Sequence, residues 1–388
     1  MEPCSYAKKC GGCRYQGISY EEQLEMKETE VRKLLKKKCP VHPISGMYFP
    51  YYYRNKVHAV FGMNDKRKPC YGIYEEGSHK IIQVEQCQIE DKKSSEIIKT
   101  IWDMLRPYKI KTYDEDSGYG FLRHVLVRRG FSTNQIMVVL VTASPVFPSG
   151  KLFVKELVEK HPEITTIVQS MNDKKTTFVL GDKEKVLYGK GYIEDKLMGY
   201  TFRISPKSFY QVNPKQTEVL YKKAIEVAGF TGKETVLDAY CGIGTIGMAV
   251  SRHAKQVIGV ELNEAAVKDA ISNAKRNKVE NIQFYCKDAG DFMEELADQN
   301  VHIDVVMMDP PRSGSTEKFI DSVSRMKPEK VVYISCNPET LARDLDYFSK
   351  KGYRPEGAWP VDMFCFTNHV EVVTCLKRVN QRADYRNI

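Results

Sequence analysis

Residues 331–338 read VVYISCNP and bring a cysteine to the end of a predicted buried strand. Five residues suited to a strand run into Cys336, and an Asn-Pro pair that cannot continue the strand follows it. Open α/β sheets bind their ligands at the carboxyl ends of their strands, so Cys336 has the position of a nucleophile. The alternative is a small buried side chain without chemistry, which is what most free cysteines are.

A second group of cysteines opens the chain. Cys4, Cys10 and Cys13 have the spacing C-x5-C-x2-C, and two glycines separate the last two thiols. Because glycine has no Cβ, the backbone there can fold tightly enough for both sulfurs to reach one metal centre. A closed site needs a fourth ligand, and Cys87 is the best candidate because it follows a strand-like run in a polar segment.

Cys39 and Cys70 are alternative candidates for the fourth ligand. The kind of metal centre also has several interpretations. A structural zinc site would more usually show two C-x2-C pairs, and only one is present. A radical enzyme would need a C-x3-C-x2-C loop that leaves one iron open, and the spacing here differs. A cluster of four irons and four sulfides held by four thiolates fits best, with unrelated surface thiols as the remaining alternative.

Composition limits the class of protein. A chain of 388 residues is too long for one ordinary core, so two or three domains are expected. The net charge of +9 suggests a polyanionic partner. The first residues resemble no targeting segment and no run has the length of a membrane span, so we expect a cytoplasmic protein. In a reducing compartment, eleven cysteines favour metal binding or catalysis over disulfides.

The amino-terminal half divides into two predicted regions. Residues 1–90 would hold the cysteine cluster and a basic helix, and residues 91–205 a β-rich, mixed α+β domain that binds RNA and may form one unit with 1–90. Aromatic and basic residues are interleaved at 51–56 (YYYRNK), a mixture that can stack bases and hold phosphates. An ordinary strand explains the tyrosines equally well.

From residue 206 to 388 strands alternate with helices, which predicts a Rossmann-like α/β domain. Residues 234–250 contain G-x-G-x-x-G between a strand and a helix start, a motif shared by NAD enzymes and many methyltransferases. The next strands end in Glu261, placed to bind ribose hydroxyls, in Asp288, placed near an adenine amine, and in Asp309. Acidic residues in this succession resemble a class I S-adenosylmethionine methyltransferase more than a dehydrogenase.

The loop after Asp309 restricts the classes of substrate that the sequence favours. Enzymes that methylate exocyclic base amines typically carry an aromatic residue after the two prolines, and here Arg312 follows them. The Pro-Cys pair of cytosine-C5 RNA enzymes is also absent from this loop. A cysteine one strand later, in SCNP, is what uracil-C5 enzymes show.

The motifs CSYAKKCGGC, SFYQVN, LDAYCGIGTIG, MDPPRSG, SCNPETLARDL and NHVEVV together resemble the S-adenosylmethionine-dependent RNA uracil-5-methyltransferases. The chain is most similar to the iron–sulfur branch that acts on 23S ribosomal RNA, over nearly its whole length. The resemblance implies S-adenosylmethionine contacts at Gln211, Tyr240, Glu261 and Asp309, a nucleophile at Cys336, a base at Glu371, and [4Fe–4S] ligands at Cys4, Cys10, Cys13 and Cys87.

This chemistry explains the residue types. A thiolate that adds to C6 of uracil makes C5 nucleophilic toward the sulfonium methyl, and a base must then remove the C5 proton. Glu371 suits that task if partial burial raises its pKa. Cys336 needs stabilisation of its thiolate, for which Arg312 or Arg343 is placed. The target uridine must be flipped out of its stack.

Three other functions compete with this one. The first is the same chemistry on the T-loop uridine of transfer RNA. The second is an NAD-linked or iron–sulfur redox enzyme, for which the Asp-Pro-Pro loop gives no reason. The third is a catalytically idle RNA-binding module, against which intact Cys336 and Glu371 argue. Many relatives carry an RNA-binding β-barrel ahead of the cluster; here we expect the first two hundred residues and the catalytic face of a monomer to hold the RNA.

Overall fold

The computed structural model describes residues 3–174 and 178–379. The chain divides into two compact units. The first comprises Met1–Gly17, Phe49–Lys196 and Arg203–Pro214, and the second Ile18–Tyr48, Leu197–Phe202 and Lys215–Ile388. No helix in the described ranges combines the length and the apolar character that a membrane crossing requires.

The elements of residues 3–204 are, in chain order, α1 (Ala7–Cys10), α2 (Tyr20–Leu35), β1 (Lys56–Met63), β2 (Pro69–Tyr74), β3 (Ile81–Ile82), α3 (Lys92–Leu105), β4 (Leu122–Arg129), β5 (Ile136–Thr142), α4 (Gly150–Lys160), β6 (Ile164–Met171), β7 (Lys183–Tyr188), β8 (Ile193–Leu197) and β9 (Tyr200–Ile204). Those that follow are α5 (Pro214–Ala228), β10 (Thr235–Ala239), α6 (Thr245–Ser251), β11 (Gln256–Glu261), α7 (Glu264–Arg276), β12 (Ile282–Cys286), α8 (Ala289–Asp298), β13 (Val305–Met308), α9 (Glu317–Met326), β14 (Lys330–Ser335), α10 (Pro338–Lys350), β15 (Tyr353–Val361) and β16 (Glu371–Arg378).

The first unit is built on a sheet with the strand order β3-β2-β1-β4-β5-β6-β7. Its neighbours are antiparallel except β5 and β6, which pair in parallel because α4 connects them as a crossover. Apolar residues of α3 and α4 are buried against one face of this sheet, among them Ile97, Ile101 and Leu157. Each such side chain contributes roughly 1.5–3 kcal/mol to folding.

The second unit contains a sheet with the order β12-β11-β10-β13-β14-β16-β15. The strands from β12 to β14 are parallel, and β16 lies antiparallel between β14 and β15. This arrangement confirms the α/β class predicted for residues 206–388, and it brings the carboxyl ends of the parallel strands to one edge, where such sheets bind ligands.

Helix α2 begins with a capping box, in which Ser19 accepts from the Glu22 amide and the Glu22 side chain accepts from Ser19. The sequence grouped this basic helix with the cysteine cluster, whereas in the structure it belongs to the second unit. The reason is its apolar face, because Val31 and Leu35 are fully buried in the core of that unit.

Candidate active site

A glycine loop joins β10 to α6. Gly242 and Gly244 have φ values of +55° and +83°, a region that other residues rarely enter. A Cβ on Gly244 would also lie 2.7 Å from the ring of Phe284. Tyr240 enters the same loop with φ +64°, which is a strained conformation for a bulky residue. Strain of this kind persists where the surrounding structure holds it, often at binding sites.

Glu261 ends β11 and points to this loop. Its Oε2 accepts a hydrogen bond from the Gly242 amide at 3.1 Å, and its Oε1 accepts from the Asn263 amide at 2.8 Å. The carboxylate is half-buried. It is therefore oriented before any ligand arrives, which suits the predicted contact with ribose hydroxyls.

Asp288 follows β12 and is exposed. Its Oδ1 accepts from the amides of Gly290 at 2.9 Å and Asp291 at 3.1 Å, so it caps α8. This local role accounts for an aspartate at the position without any ligand, and the predicted contact with adenine remains a prediction.

Three chemically important side chains gather where β13, β14 and β16 meet. Asp309 follows the last residue of β13 and Cys336 follows the last residue of β14. The antiparallel register of β14 and β16 ends at the pair Ser335–Val372, so Cys336 and Glu371 are the next residues along the two strands. Because β16 runs antiparallel to β14, its first residue lies at the same edge as their last residues.

The ionisable groups at this edge influence one another. Burial, and then the charge of Asp309, raises the pKa of Glu371. Burial also raises the pKa of Asp309. The pKa of Cys336 is raised to about 11 by burial and by the charges of Glu371 and Asp309, while Arg312 acts in the opposite direction. These four side chains therefore share one electrostatic environment.

The backbone around Cys336 is held by its neighbours. Ser335 Oγ accepts from the Asn337 amide at 3.2 Å and donates to the Asn337 carbonyl at 3.0 Å. Asn337 in turn caps α10 by accepting from the Glu339 amide at 3.1 Å. Cys336 thus stands just ahead of a helix amino terminus, where the helix dipole favours a thiolate.

The two arginines predicted near the thiol differ in position. Arg312 Nη2 donates to Nδ1 of His369 at 3.4 Å and is the arginine that lowers the pKa of Cys336. Arg343 instead donates from Nη2 to the carbonyl of Ser313 at 3.0 Å. We conclude that Arg312 acts on the thiol, whereas Arg343 holds the loop that carries Arg312.

Sequence reasoning missed two buried groups near this edge. The hydroxyl of Tyr221, on α5, is hydrogen bonded to Thr245 Oγ1 at 3.0 Å, and burial followed by the charge of Asp309 raises its pKa. Asp238, in β10, accepts from the Gly247 amide at 2.7 Å, and burial raises its pKa to about 8. An acidic residue inside an apolar strand was a usable signal for Asp238, but a tyrosine inside a helical pattern gave none.

Gln211 belongs to the first unit, on the segment Arg203–Pro214. Its carbonyl accepts from Asn55 Nδ2 at 3.2 Å, and the neighbouring carbonyl of Val212 accepts from the Asn55 amide at 2.9 Å. Arg128 Nη1 donates to the carbonyl of Ser208 at 2.8 Å. The SFYQVN motif is therefore fixed in place by buried side chains of the first unit.

The predicted cluster ligands also lie in the first unit and act on one another. Burial chiefly raises the pKa of Cys10 and of Cys13, and in both cases the thiol of Cys4 adds to the effect. The pKa of Cys87 is raised by burial and Glu90, with a further contribution from Cys13. Within the described residues, no group of three or more His, Cys, Asp or Glu side chains could hold a metal ion as it stands.

The glycines between Cys10 and Cys13 fold the loop tightly, as their positions predicted. Gly11 has φ +68°, and a Cβ there would lie 2.7 Å from Cβ of Glu76. Of the two competing cysteines, Cys39 is buried in the core of the second unit, and Cys70 is buried in β2.

Comparison with known proteins supplies the family. Residues 19–379 match the family described as tRNA (Uracil-5-)-methyltransferase. An uncharacterized RNA methyltransferase from Oceanobacillus iheyensis is 44% identical over 379 residues, which are 96% of this chain and 82% of that protein. One from Halalkalibacterium halodurans is 42% identical over 383 residues, 97% of this chain and 83% of the relative.

A solved structure is similar over most of the chain. The Pyrococcus abyssi tRNA (uracil-54, C5)-methyltransferase in complex with S-adenosyl-L-homocysteine superimposes with a TM-score of 0.79 at 29% identity. The match covers 95% of this chain and 86% of the other. The chain is therefore an RNA methyltransferase that belongs to the tRNA (uracil-5-)-methyltransferase family.

Proposed function

We propose that this enzyme methylates C5 of a uridine in 23S ribosomal RNA, with S-adenosylmethionine as methyl donor and Cys336 as the nucleophile. The observation that carries the proposal is the register of β14 and β16, which makes Cys336 and Glu371 neighbours at the edge where Asp309 also lies. A nucleophile beside a buried carboxyl is what uracil C5 methylation requires.

The first step makes C5 reactive. The Cys336 thiolate forms a bond with C6 of the uracil, and the electron pair of the C5–C6 double bond moves toward the C4 carbonyl as an enolate. The pair then forms the new C5–methyl bond. S-adenosylmethionine supplies that methyl group as a sulfonium, and S-adenosylhomocysteine leaves.

The second step restores the base. After methyl transfer C5 still carries its hydrogen, and the Glu371 carboxylate removes it. The C–H electron pair re-forms the C5–C6 double bond and expels the Cys336 thiolate, so the enzyme returns to its starting state once Glu371 loses the proton. The raised pKa of Glu371 makes its ionised form a stronger base than the carboxylate of an exposed glutamate.

The methyl donor would be held by residues of the sequence motifs. We assign this role to Gln211, Tyr240, Glu261, Asp288 and Asp309. The strained backbone at Tyr240 and the two amide hydrogen bonds to Glu261 support a preformed cofactor edge.

We further propose that Cys4, Cys10, Cys13 and Cys87 hold a [4Fe–4S] cluster with a structural role. The support is that these thiols of one unit act on one another: beyond the effect of burial, Cys4 raises the pKa of Cys10 and of Cys13, and Cys13 raises the pKa of Cys87. A single tetrahedral ion with metal–sulfur bonds of about 2.3 Å needs its ligands packed closely together. An iron–sulfur core spreads its four thiolates further apart, and four protein ligands leave no iron open for chemistry.

The alternative substrate is the T-loop uridine of transfer RNA. The similarity to the Pyrococcus abyssi enzyme, whose name specifies uracil-54 of transfer RNA, favours this candidate. The cysteine cluster favours 23S ribosomal RNA, by resemblance to the iron–sulfur branch.

One experiment separates the candidates. The full chain, purified without oxygen, is incubated with tritiated S-adenosylmethionine and either unmodified 23S ribosomal RNA or unmodified transfer RNA, and each RNA is digested to nucleosides. We expect label in 5-methyluridine from 23S RNA only. Label in 5-methyluridine from transfer RNA alone would show that transfer RNA, and not 23S ribosomal RNA, is the substrate. The absence of labelled 5-methyluridine from both RNAs would overturn the proposed function. A Cys336→Ala variant should be inactive, and Cys286→Ala, at an exposed cysteine of the same unit, should be active.

A further inference from the structure

Three aromatic rings form a cluster on the surface of the first unit, at Phe49, Tyr51 and Tyr52. Phe49 is 54% exposed, and the two tyrosines are partly exposed. The ring centroids are 5.4 Å apart for Phe49–Tyr51, 6.4 Å for Tyr51–Tyr52 and 6.5 Å for Phe49–Tyr52. Rings that lie together and are at least partly exposed offer an apolar face to a partner.

The backbone of this cluster is strained and firmly held. Tyr52 has φ +53°, which is unfavourable for a bulky side chain. Its amide nevertheless donates to the carbonyl of Gln88 at 2.9 Å, and the amide of Arg54 donates to the carbonyl of Ile89 at 2.9 Å. The fold thus keeps Tyr52 in a costly conformation that presents its ring beside Phe49, as expected of a functional surface.

A positive charge accompanies the rings. The ammonium of Lys92, an exposed residue at the start of α3, lies 4.2 Å from the centroid of the Tyr52 ring. Aromatic faces beside a lysine match a single-stranded nucleic acid, whose bases stack and whose phosphates are negative. The chain as a whole carries a net charge of +9, which favours such a polyanion.

We propose that Phe49, Tyr51, Tyr52 and Lys92 form a stacking platform for unpaired nucleobases of the RNA substrate, outside the catalytic edge. This inference rests on the proposed function in one respect, that the substrate is RNA. The platform binds unpaired bases regardless of sequence, because every base has an aromatic face. It gives the enzyme a preference for single-stranded over paired RNA.

The test measures binding separately from methylation. The probe is a fluorescein-labelled single-stranded RNA of mixed sequence, about ten nucleotides long, and the same strand annealed to its complement; fluorescence anisotropy gives both dissociation constants. We expect Phe49→Ala and Tyr52→Gly each to weaken single-strand binding about tenfold and duplex binding less than about twofold. Glycine at position 52 also relieves the backbone strain, and thermal unfolding of each variant should match the wild type, so that a weaker complex reports the lost ring. Lys92→Ala should reduce the slope of the logarithm of the binding constant against the logarithm of the salt concentration by about one.

Tyr119 provides a matched control in the same unit. It is 64% exposed and has a lysine, Lys111, 4.8 Å from its ring centroid. Tyr119→Ala should bind both probes like the wild type. Platform variants that bind the single strand normally, or that lose both probes equally, would overturn the proposal. Because the readout is binding, a failed test for 5-methyluridine would leave this result interpretable.

Discussion

The thiol of Cys336 is influenced in opposite directions by its neighbours. Burial and the charges of Glu371 and Asp309 raise its pKa, and Arg312 lowers it. Arg312→Gln should therefore raise the thiol pKa further and move the acidic limb of the pH profile of kcat/KM to higher pH. Because the thiol pKa is about 11, we expect about a tenfold loss in kcat/KM throughout pH 7–9, since one pKa unit is a factor of ten in thiolate, and about the same loss in the rate at which iodoacetamide alkylates Cys336 in the absence of RNA.

The control for this change is Arg325→Gln, because Arg325 is exposed and pairs with Asp298 away from the thiol. Its pH profile should match that of the wild type. A loss of activity in Arg312→Gln without slower alkylation of Cys336 would contradict the electrostatic role and indicate that Arg312 binds RNA instead.

Glu371 acts after methyl transfer in the proposed mechanism. Glu371→Gln should bond to C6 and transfer the methyl group but fail to remove the C5 proton, so a covalent protein–RNA adduct accumulates. Turnover should fall by about 10²–10⁴, the usual contribution of a general base. Denaturing gels of the enzyme with labelled RNA detect the adduct. No adduct is expected from Cys336→Ala/Glu371→Gln, and normal turnover of Glu371→Gln would refute the assignment.

At this scale the sequence could predict the residues that stand at motif positions. Cys336 and Glu371 are predicted in that way, and the register of β14 and β16 gives them a common edge, while their catalytic roles stay a prediction. Tyr221 was not predictable, because its importance comes only from its distance to Thr245 and the buried carboxyls. Nothing in a helical pattern encodes which strand end a given side chain will face.

Helix α2 holds the loop that joins β15 to β16. Lys27 Nζ donates to Asp362 Oδ1 at 2.6 Å, and both side chains are fully buried. The hydroxyl of Tyr20 donates to the other oxygen of Asp362 at 2.7 Å. Since this loop leads into Glu371, α2 fixes the start of the strand that carries the proposed base.

The buried pair gives a stability prediction. Lys27→Met should lower the free energy of unfolding by about 3–5 kcal/mol, because the Asp362 charge is left buried without its partner. Urea denaturation measures the change. Lys27→Met/Asp362→Asn should recover much of the loss, since no buried charge then remains. Lys33→Met, at an exposed position of the same helix, should change stability by less than about 0.5 kcal/mol; a similar loss there would contradict the explanation.

The strands and helices of the second unit were largely predictable from the sequence. Helix α2 was predictable as a helix, but the unit against which it packs was not. Five strand-forming residues before Cys336 became part of β14, with bounds Lys330–Ser335. The place of α2 depends on Asp362, which lies 335 residues from Lys27 in sequence. Local patterns report the local conformation and the apolar face, but not which distant surface that face will cover.

For the molecule as a whole, buried carboxyls make stability depend on pH. Burial raises the pKa of Asp238, Asp309 and Glu371, so the neutral forms are favoured in the folded state. A carboxyl whose folded pKa exceeds its unfolded value, about 4, contributes stability that is fully present below pH 4. That contribution is lost as the pH rises through the folded pKa, so neutral to mildly basic solution should weaken this unit.

Asp238 isolates the effect, because its pKa is about 8 and its side chain is fully buried. In Asp238→Asn the amide oxygen can still accept from the Gly247 amide, but no charge can form. The two proteins should melt at similar temperatures near pH 5, and the variant should be the more stable near pH 8, by a few kcal/mol. Calorimetry across this range gives the difference directly, with exposed Asp298→Asn as a control that should show no trend. A constant difference between wild type and Asp238→Asn at all pH values would mean that Asp238 stays charged in the folded protein, held by a counter-charge rather than by protonation.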